Sequence, residues 1–298
     1  MNDNNELNIQ LLCEISQVSR SGYYAWLKRK NDKNNHVELQ DRKDFELILE
    51  AYNYRGYKKG SRSIYMRLLH KGIVMNRKKI QRLMKKYHLF CPIRKPNPYK
   101  QMAKAVELSN IADNIVNREF REHGPRIILL TDITYLFYGN CNKAYLSSIK
   151  DAFTKEILSH VVSDNMEEDF VLETINLLME NHKDEIHTEA LIHSDQGVHY
   201  KAYTFQQLLK DKNLRQSMSR KANCWDNAPQ ESFHGHMKDE IDLTDCKILE
   251  DVKQLIDDYI DYYNNERYQW DLAKLSPSEY YQYKITGIYP INTKQKDV

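Results

Sequence analysis

Three carboxylic acids in the sequence stand where they could act together on one substrate. Asp132 lies in an apolar, β-branched run, Asp195 follows the short apolar run of residues 190–192, and Glu231 begins a helix-like stretch. Mg²⁺ prefers oxygen ligands and takes one or two carboxylates each, which leaves positions open for a substrate phosphate. Two such ions about 4 Å apart activate an attacking oxygen and stabilise the leaving one. The three acids therefore predict a pair of Mg²⁺ ions and phosphodiester chemistry.

Each acid taken singly also has an ordinary structural explanation. Asp132 could cap a turn, and Asp195 could form an Asx turn before Gly197. Glu231 could be a charge in the first turn of a helix, where the helix dipole favours it. The three acids together, each in the secondary structure that a metal site needs, favour the catalytic interpretation.

Side chains around Glu231 are candidates for contact with the substrate. Lys238 follows Glu231 by almost two helical turns, so both project from one face and the lysine could hold a substrate phosphate. His234, one turn from Glu231, could touch the substrate or pack inside the protein. Asn223 and Trp225 belong to a polar and aromatic run just before the glutamate. That run could order the start of the helix or touch the substrate.

Composition indicates an ordinary soluble chain with roughly two domains. Its 298 residues are 41% hydrophobic and 29% charged. Five scattered cysteines form no CxxC pair, which argues against a structural zinc site and a disulfide framework and suits a reducing cytosol. The N-terminus is polar and no apolar run approaches the ~20 residues that span a bilayer. We therefore expect a cytoplasmic protein without a signal peptide or a membrane partner.

The net charge of +2 conceals an uneven distribution. Residues 1–100 carry 22 Lys and Arg against 9 Asp and Glu, whereas the remaining residues carry 22 against 33. A basic front half on a nearly neutral protein is typical of a region that binds a polyanion. The acidic remainder would repel that polyanion unless metal ions or the basic front half balance the negative charge.

The front half predicts a series of short helices. Residues 7–30 predict two helices around a turn at residues 16–19, with Ser19 as the N-cap of the second, and residues 31–35 predict a polar hinge. An apolar stripe predicts a helix over residues 41–52, and Ser61 and Asn76 are predicted to cap two further helices on either side of Gly72. The helix after Asn76 is basic and completes a helix-turn-helix pattern that predicts DNA binding, although a solvated basic face without a ligand is the alternative. The candidate DNA contacts are Arg77, Lys78, Lys79, Arg82, Lys85 and Lys86.

From residue 126 onward the pattern is that of an α/β domain. Strand-like runs cover residues 126–138, 143–150, 156–163, 190–193 and 215–219, and helical patterns cover residues 167–181, 203–212, 230–241 and 249–264. This order predicts a mixed five-stranded sheet with helices on its faces. The first strand would lie centrally with the fourth beside it, which would bring Asp132 to the end of the fourth strand.

These motifs together resemble a known family. The chain resembles the insertion-sequence-three family of bacterial transposases, in its OrfB-type catalytic part. The segments that carry this resemblance are VSRSGYYAWLKR, TDITY, HSDQGVHY, NCWDNAPQESFHGHMKDE and YNNERYQWDLAKLSPSEYY. The resemblance covers almost the whole chain. It implies a retroviral-integrase-like, RNase H-like core whose DDE triad maps onto Asp132, Asp195 and Glu231. It also implies that the triad binds two Mg²⁺ ions, with Mn²⁺ as a substitute, and that Lys238 is the accompanying basic residue.

The resemblance further implies an activity and partners. The activity is Mg²⁺-dependent cleavage at the element end followed by strand transfer, through a branched single-end-joined intermediate and an excised circle. The DNA partners are terminal inverted repeats and target DNA, bound by a homo-oligomer in the bacterial nucleoid. In this family an OrfA frame supplies a further helix-turn-helix and a leucine zipper. Because this chain has no heptad run, we expect it to be the OrfB portion alone, acting with an OrfA partner or within an OrfAB fusion.

Two rival functions and a domain division complete these expectations. A DNA-binding regulator with an inactive integrase-like core is one rival, and a nuclease that cuts without joining is the other. His234 and His236 also depart from the family pattern, which usually has other residue types there. The expected divisions are a helix-turn-helix-like segment (1–38), a basic helix-turn-helix domain (39–92), a linker (93–122), the catalytic core with C-terminal helices (123–285) and a tail (286–298).

Overall fold

The N-terminal part of the protein is helical. The computed structural model describes residues 8–92, 123–140, 142–219 and 227–291. Its first elements are α1 (Ile9–Ile15), α2 (Arg20–Asn53), a 3₁₀ turn (Tyr54–Gly56), α3 (Ser61–His70) and α4 (Arg77–Lys86). The side chains of Ser19 and Asn76 accept hydrogen bonds from the first turns of α2 and α4, which confirms both predicted N-caps. The N-cap of α3 is Gly60, one residue before the predicted Ser61.

The hinge predicted at residues 31–35 is wrong. Helix α2 runs through this stretch without a break, over 34 residues in all. Asparagine has only a modestly poor helix propensity, and helical structure on both sides of a short polar run readily continues through it. The break comes where it was predicted, after Asn53, because Arg55 and Gly56 adopt positive φ angles of 54° and 70°.

Helices α2, α3 and α4 share one small hydrophobic core. The buried stripe of α4 is formed by Ile80, Leu83 and Met84, as the sequence predicted. This stripe packs on the C-terminal half of α2 and on α3, whose buried contributions are Ile48, Ala51, Ile64 and Leu68. The core fixes the orientation of α4 and leaves its basic side facing outward.

A mixed five-stranded sheet forms the second part of the protein. Its strands are β1 (Ile128–Tyr138), β2 (Asn142–Asp151), β3 (Ile157–Ser163), β4 (Leu191–Ser194) and β5 (Arg215–Met218), in the order β3-β2-β1-β4-β5. The first three strands are antiparallel, whereas β4 runs parallel to β1 and β5 runs parallel to β4. The predicted central position of the first strand, with the fourth beside it, is confirmed.

Helices cover both faces of this sheet. They are α5 (Glu168–His182), the short α6 (Val198–Lys201), α7 (Tyr203–Asp211), α8 (Ala228–Glu240), α9 (Leu249–Asn265) and α10 (Pro277–Thr286). Helices α8 and α9 pack on the face of β1 that carries Leu136, and α5 and α7 pack on the face that carries Leu129. Helix α10 was not predicted, although its capping box of Ser276 and Glu279 is visible in the sequence. In the described ranges, no helix is long and apolar enough to cross a membrane.

The helical front part contacts the core through α9. The ring of Tyr57 packs against Tyr259 and Tyr262, with ring centroids 5.4 and 4.4 Å apart. Arg67 of α3 lies 3.6 Å from Glu266, which follows α9 directly. These aromatic and charged contacts set the position of the helix-turn-helix relative to the sheet.

Candidate active site

The parallel pairing of β1 and β4 brings two of the three acids together. The last pair in this register is Leu130 with His193, and Asp132 and Asp195 each lie two residues further along. Because the two strands run in the same direction, the two acids emerge at the same level of the sheet. Burial and the neighbouring charge of Asp132 raise the pKa of the Asp195 carboxyl.

The Asx turn considered for Asp195 is also present. The amide of Gly197 donates to Oδ1 of Asp195 at 2.8 Å, and this hydrogen bond opposes the rise in the carboxyl pKa. The turn fixes the carboxylate at the end of β4. It is therefore compatible with a catalytic role and holds the acid in place for one.

Helix α8, which carries Glu231 in its first turn, is tied to the sheet at its start. The side-chain amide of Asn227 donates to the carbonyl of Thr131 at 3.2 Å, one residue before Asp132 in the sequence. The side-chain amide of Gln230 donates to Oγ of Ser148 at 2.6 Å. These bonds hold the N-terminal turn of α8 against β1 and β2.

His234 faces the protein interior, which matches the second alternative that the sequence left open, a histidine packed inside the protein. The residue is only 5% exposed. Its Nδ1 lies 3.6 Å from Oδ2 of Asp132, and its Nε2 lies 3.1 Å from Oγ of Ser148. Burial lowers the pKa of the imidazole although the Asp132 carboxylate opposes the change. His234 is thus placed to orient the Asp132 carboxylate.

Lys238 reaches the same strand as Asp132. Its Nζ donates to Oγ1 of Thr134 at 2.6 Å, and Thr134 shares a face of β1 with Asp132 because alternate strand residues point the same way. Burial lowers the pKa of the ammonium, and the charge of Asp132 opposes that shift. Glu231, His234 and Lys238 follow one another at spacings of three and four residues, so they share one face of α8.

The donor atoms at this position are carboxylate oxygens. Asp132 and Asp195 present neighbouring carboxylates, which are the hard oxygen donors that Mg²⁺ prefers. Within the described residues, no three His, Cys, Asp or Glu side chains stand close enough together to hold a metal ion. The structure thus pairs two acids of the proposed triad and places Glu231 on the helix that packs beside them. Asn223 and Trp225, the other two candidates for substrate contact, lie outside the described residues.

The basic helix α4 has acidic partners that its own sequence does not reveal. Lys79 pairs with Asp44, and Arg82 forms two hydrogen bonds with Asp41 at 2.6 and 2.8 Å. Lys86 lies 2.9 Å from the same Asp41. The acids come from α2, about forty residues earlier in the chain. Three of the six cations on α4 are thus paired with acids of another helix, whereas Lys78 and Lys85 are exposed.

Sequence reasoning missed the residues that support the acids. Ser148 lies directly opposite Asp132 in the β1–β2 register, so only the pairing of the strands identifies it. Thr134 and Gln230 could have been considered from the sequence, since each lies within two residues of a proposed triad acid. Their hydrogen bonds to Lys238 and Ser148 nevertheless depend on how α8 packs on the sheet.

A mixed sheet in this strand order, with acids at the ends of adjacent β1 and β4 segments and helices on both faces, is an RNase H-like fold. Family models described as an integrase core domain match residues 122–224 and 231–285, and one described as an HTH-like domain matches residues 38–97. The InsK protein for insertion sequence element IS150, from Escherichia coli K12, is 32% identical over 90% of this chain and 92% of its own length. The transposase InsF of insertion sequence IS3A from the same organism is 26% identical over 92% of this chain and 94% of its own length. The chain belongs to the insertion-sequence-three family of transposases.

Solved viral structures share part of this architecture. The catalytic core domain of HTLV-2 integrase in complex with magnesium is 17% identical, with a TM-score of 0.42, and the likeness covers 54% of this chain and 99% of that one. A simian T-cell lymphotropic virus intasome in complex with PP2A regulatory subunit B56 gamma is 12% identical, with a TM-score of 0.46. That likeness covers 85% of this chain and 80% of the viral chain.

Proposed function

We propose that this transposase cuts DNA at the ends of its element and joins those ends to target DNA, with Asp132, Asp195 and Glu231 as Mg²⁺ ligands. The observation that carries the proposal is the β1–β4 register, which sets Asp132 beside Asp195 where β4 ends against the middle of β1. Burial and the neighbouring Asp132 charge raise the pKa of the Asp195 carboxyl, and a bound cation would offset the repulsion between the two carboxylates.

In this proposal the metal ligands come from both the sheet and α8. Asp132 and Asp195 would hold the metal from the sheet, and Glu231 would complete the ligand set from the first turn of α8. The bound ions would activate the attacking oxygen and stabilise the leaving one. Lys238, held by Thr134, would bind a DNA phosphate beside the acids. His234 would keep the Asp132 carboxylate in one orientation through its 3.6 Å contact.

Two successive reactions account for cutting and joining. Water first attacks a phosphodiester at the element end, which breaks the bond to the flanking strand and leaves a free 3′-OH. That hydroxyl then attacks a second phosphodiester, so one P–O bond forms as another breaks. No side chain becomes covalently linked to DNA in this scheme, which agrees with a candidate site made of acids, a lysine and a buried histidine.

The DNA-binding role falls first on the exposed part of α4. Lys78 and Lys85 face solvent, and Arg77 lies at the start of the same helix. Lys79, Arg82 and Lys86 are already paired with acids of α2, so we expect each of them to contribute less to phosphate binding. The partners would be the terminal inverted repeats and target DNA in the bacterial nucleoid. A homo-oligomer, with an OrfA protein or as an OrfAB fusion, would assemble on them.

A reaction with the inverted repeat of the protein's own element tests this proposal. Purified protein is incubated with labelled repeat DNA and unlabelled target DNA, with Mg²⁺ or with EDTA. Metal-dependent nicking at the repeat end followed by joined products supports the proposal. Binding without nicking would indicate the DNA-binding regulator, and nicking without joining would indicate the nuclease.

A further inference from the structure

Among the residues that the structure describes, one edge of strand β1 is only partly paired. Strand β2 pairs with β1 over residues 129–138, whereas the recorded pairs with β4 cover residues 128–130. The chain that follows α8 returns along the far end of this edge, and the amide of Gly139 donates to the carbonyl of Leu243 at 3.2 Å. Between the edge and this returning segment lies a cleft of about 420 Å³.

Aromatic side chains and charges of both signs line this cleft. Tyr135 and Phe137 of β1 line it, and they are 46% and 63% exposed. Lys238 lines the cleft beside them, and Asp242 lines it on the returning segment. The Tyr135 ring is steadied by an edge contact with Tyr145, at a centroid distance of 5.4 Å.

We propose that this cleft receives an unpaired nucleobase of the DNA strand next to the phosphodiester that reacts, stacked on Tyr135 or Phe137. The proposal rests on the proposed cutting and joining of DNA. Tyr135 lies three residues from Asp132 along β1, about 10 Å at the rise of an extended strand. Its side chain points to the opposite face of the strand from Asp132, so DNA would reach both around the open edge of β1. Successive nucleotides of one duplex strand lie about 3.4 Å apart, so the cleft is within reach of the first few nucleotides beside the acids.

The order of charges favours a base over the sugar–phosphate backbone inside the cleft. Lys238 bridges the cleft and the acids, since its Nζ bonds Thr134 on the strand of Asp132. A phosphate is therefore attracted to the end of the cleft nearest the acids. Asp242 repels a phosphate at the other wall, whereas a neutral base meets no such penalty. Aromatic rings bind bases of any sequence by stacking, because every base has a flat π face.

Coupling between one base and one ring tests the proposal. Repeat DNAs are prepared with a single abasic residue at each of the three positions on either side of the cut phosphate. Their dissociation constants without metal, and their joining rates with Mg²⁺, are measured for the wild type and for Phe137→Ala and Tyr135→Ala. Phe90→Ala is the matched control, because Phe90 is also exposed, at 66%, and lies outside the core.

We expect that removing either the base or the aromatic ring weakens DNA binding. Removing both should weaken binding no further than removing one. Removing one stacking contact should weaken binding by roughly 5- to 150-fold. At one abasic position the wild type should show this loss, and Phe137→Ala or Tyr135→Ala should show it on intact DNA. The combination should then be no weaker than either change alone. Phe90→Ala should keep the wild-type response to the abasic position.

Three other results would overturn the inference. Wild-type protein that binds and joins every abasic DNA as well as intact DNA would exclude a bound base. Effects of base and ring that multiply would show that the two do not touch. If the wild type neither cuts nor joins intact repeat DNA, the proposed function fails and this inference fails with it. Because Phe137 is largely exposed, its alanine variant should melt with the wild type, which separates loss of stacking from loss of fold.

Discussion

Nδ1 of His234 lies 3.6 Å from Oδ2 of Asp132, and the opposite ring nitrogen lies 3.1 Å from Oγ of Ser148. One buried side chain of α8 therefore contacts the first acid on β1 and the residue directly opposite it on β2. Gln230 donates to the same Ser148 oxygen from the preceding turn of α8. The position of the helix that carries Glu231 is thus coupled to the orientation of Asp132.

Replacing His234 by alanine should reduce both stability and joining. The change leaves Ser148 with one partner fewer and opens a cavity beside Asp132, so the free energy of unfolding should fall by about 1–3 kcal/mol. The joining rate should fall because Asp132 loses its orientation, while repeat-DNA binding stays near the wild-type value. Chemical denaturation and a joining assay measure the two effects. The control is His160→Ala, which removes a surface contact to Asp257 and should change stability by less than about 0.5 kcal/mol. Equal effects of the two substitutions would contradict the assigned role.

Asp195→Asn should abolish activity while leaving the metal-free fold intact. A folded-state pKa above the usual value means that the neutral acid stabilises the fold at low pH and that this contribution is lost as pH rises through the raised pKa. At neutral pH without metal, the asparagine variant should therefore melt at the wild-type temperature or slightly above it. Added Mg²⁺ should raise the melting temperature of the wild type more than that of the variant. Thermal melts at pH 4 and pH 7, with and without Mg²⁺, check this. Joining activity in the variant would refute the ligand assignment.

Substitutions of Glu231 and Lys238, which share one face of α8, should affect catalysis and DNA binding differently. Glu231→Gln keeps the shape of the side chain and removes the charge, so cutting and joining should fall by several orders of magnitude while DNA binding persists. Lys238→Ala loses the hydrogen bond to Thr134 and the proposed phosphate contact, so it should slow joining more than it weakens binding. Single-turnover rates and binding curves on the same DNA make the comparison. A Lys238→Ala protein equal to the wild type in both assays would leave that lysine as surface charge.

The salt dependence of DNA binding should distinguish free from paired cations on α4. Each phosphate contact contributes about −0.9 to the slope of log affinity against log salt on duplex DNA. Lys78→Ala and Lys85→Ala should each flatten this slope by roughly one unit. Arg82→Ala should change it less, because Asp41 already neutralises the guanidinium through two hydrogen bonds. Binding at three salt concentrations measures the slopes, and a larger effect of Arg82 than of Lys78 would reverse the assignment.

Asp41→Asn tests the same ion pairs by changing the acid instead of the cations. Removing this carboxylate releases Arg82 and Lys86 from their shared partner. If α4 faces DNA, the variant should bind all sequences more tightly at low salt and show a steeper slope than the wild type. Titration of unrelated duplex DNA measures this, and unchanged affinity would place the DNA surface on another part of the chain.

Local patterns in the sequence were sufficient to predict most of the secondary structure. Alternating and helical periodicity depends on neighbouring residues only, so the five strands and the order of the main helices could be predicted. The caps at Ser19 and Asn76 were predicted for the same reason. The false hinge at residues 31–35 marks the limit of this reasoning, since local propensity is weak against a helix that continues on both sides.

The acids could be predicted from the sequence, whereas their surroundings could not. Asp132 lies within the first recognisable strand and Asp195 directly follows the fourth, so a parallel pairing of those strands was enough to place them together. Ser148 and the inward turn of His234 follow from the register of β2 and the packing of α8, which join residues 86 positions apart in the chain. The pairing of Arg82 with Asp41 likewise crosses 41 positions. Contacts of this kind arise only when distant segments pack together, so the sequence pattern around each residue does not identify its partner.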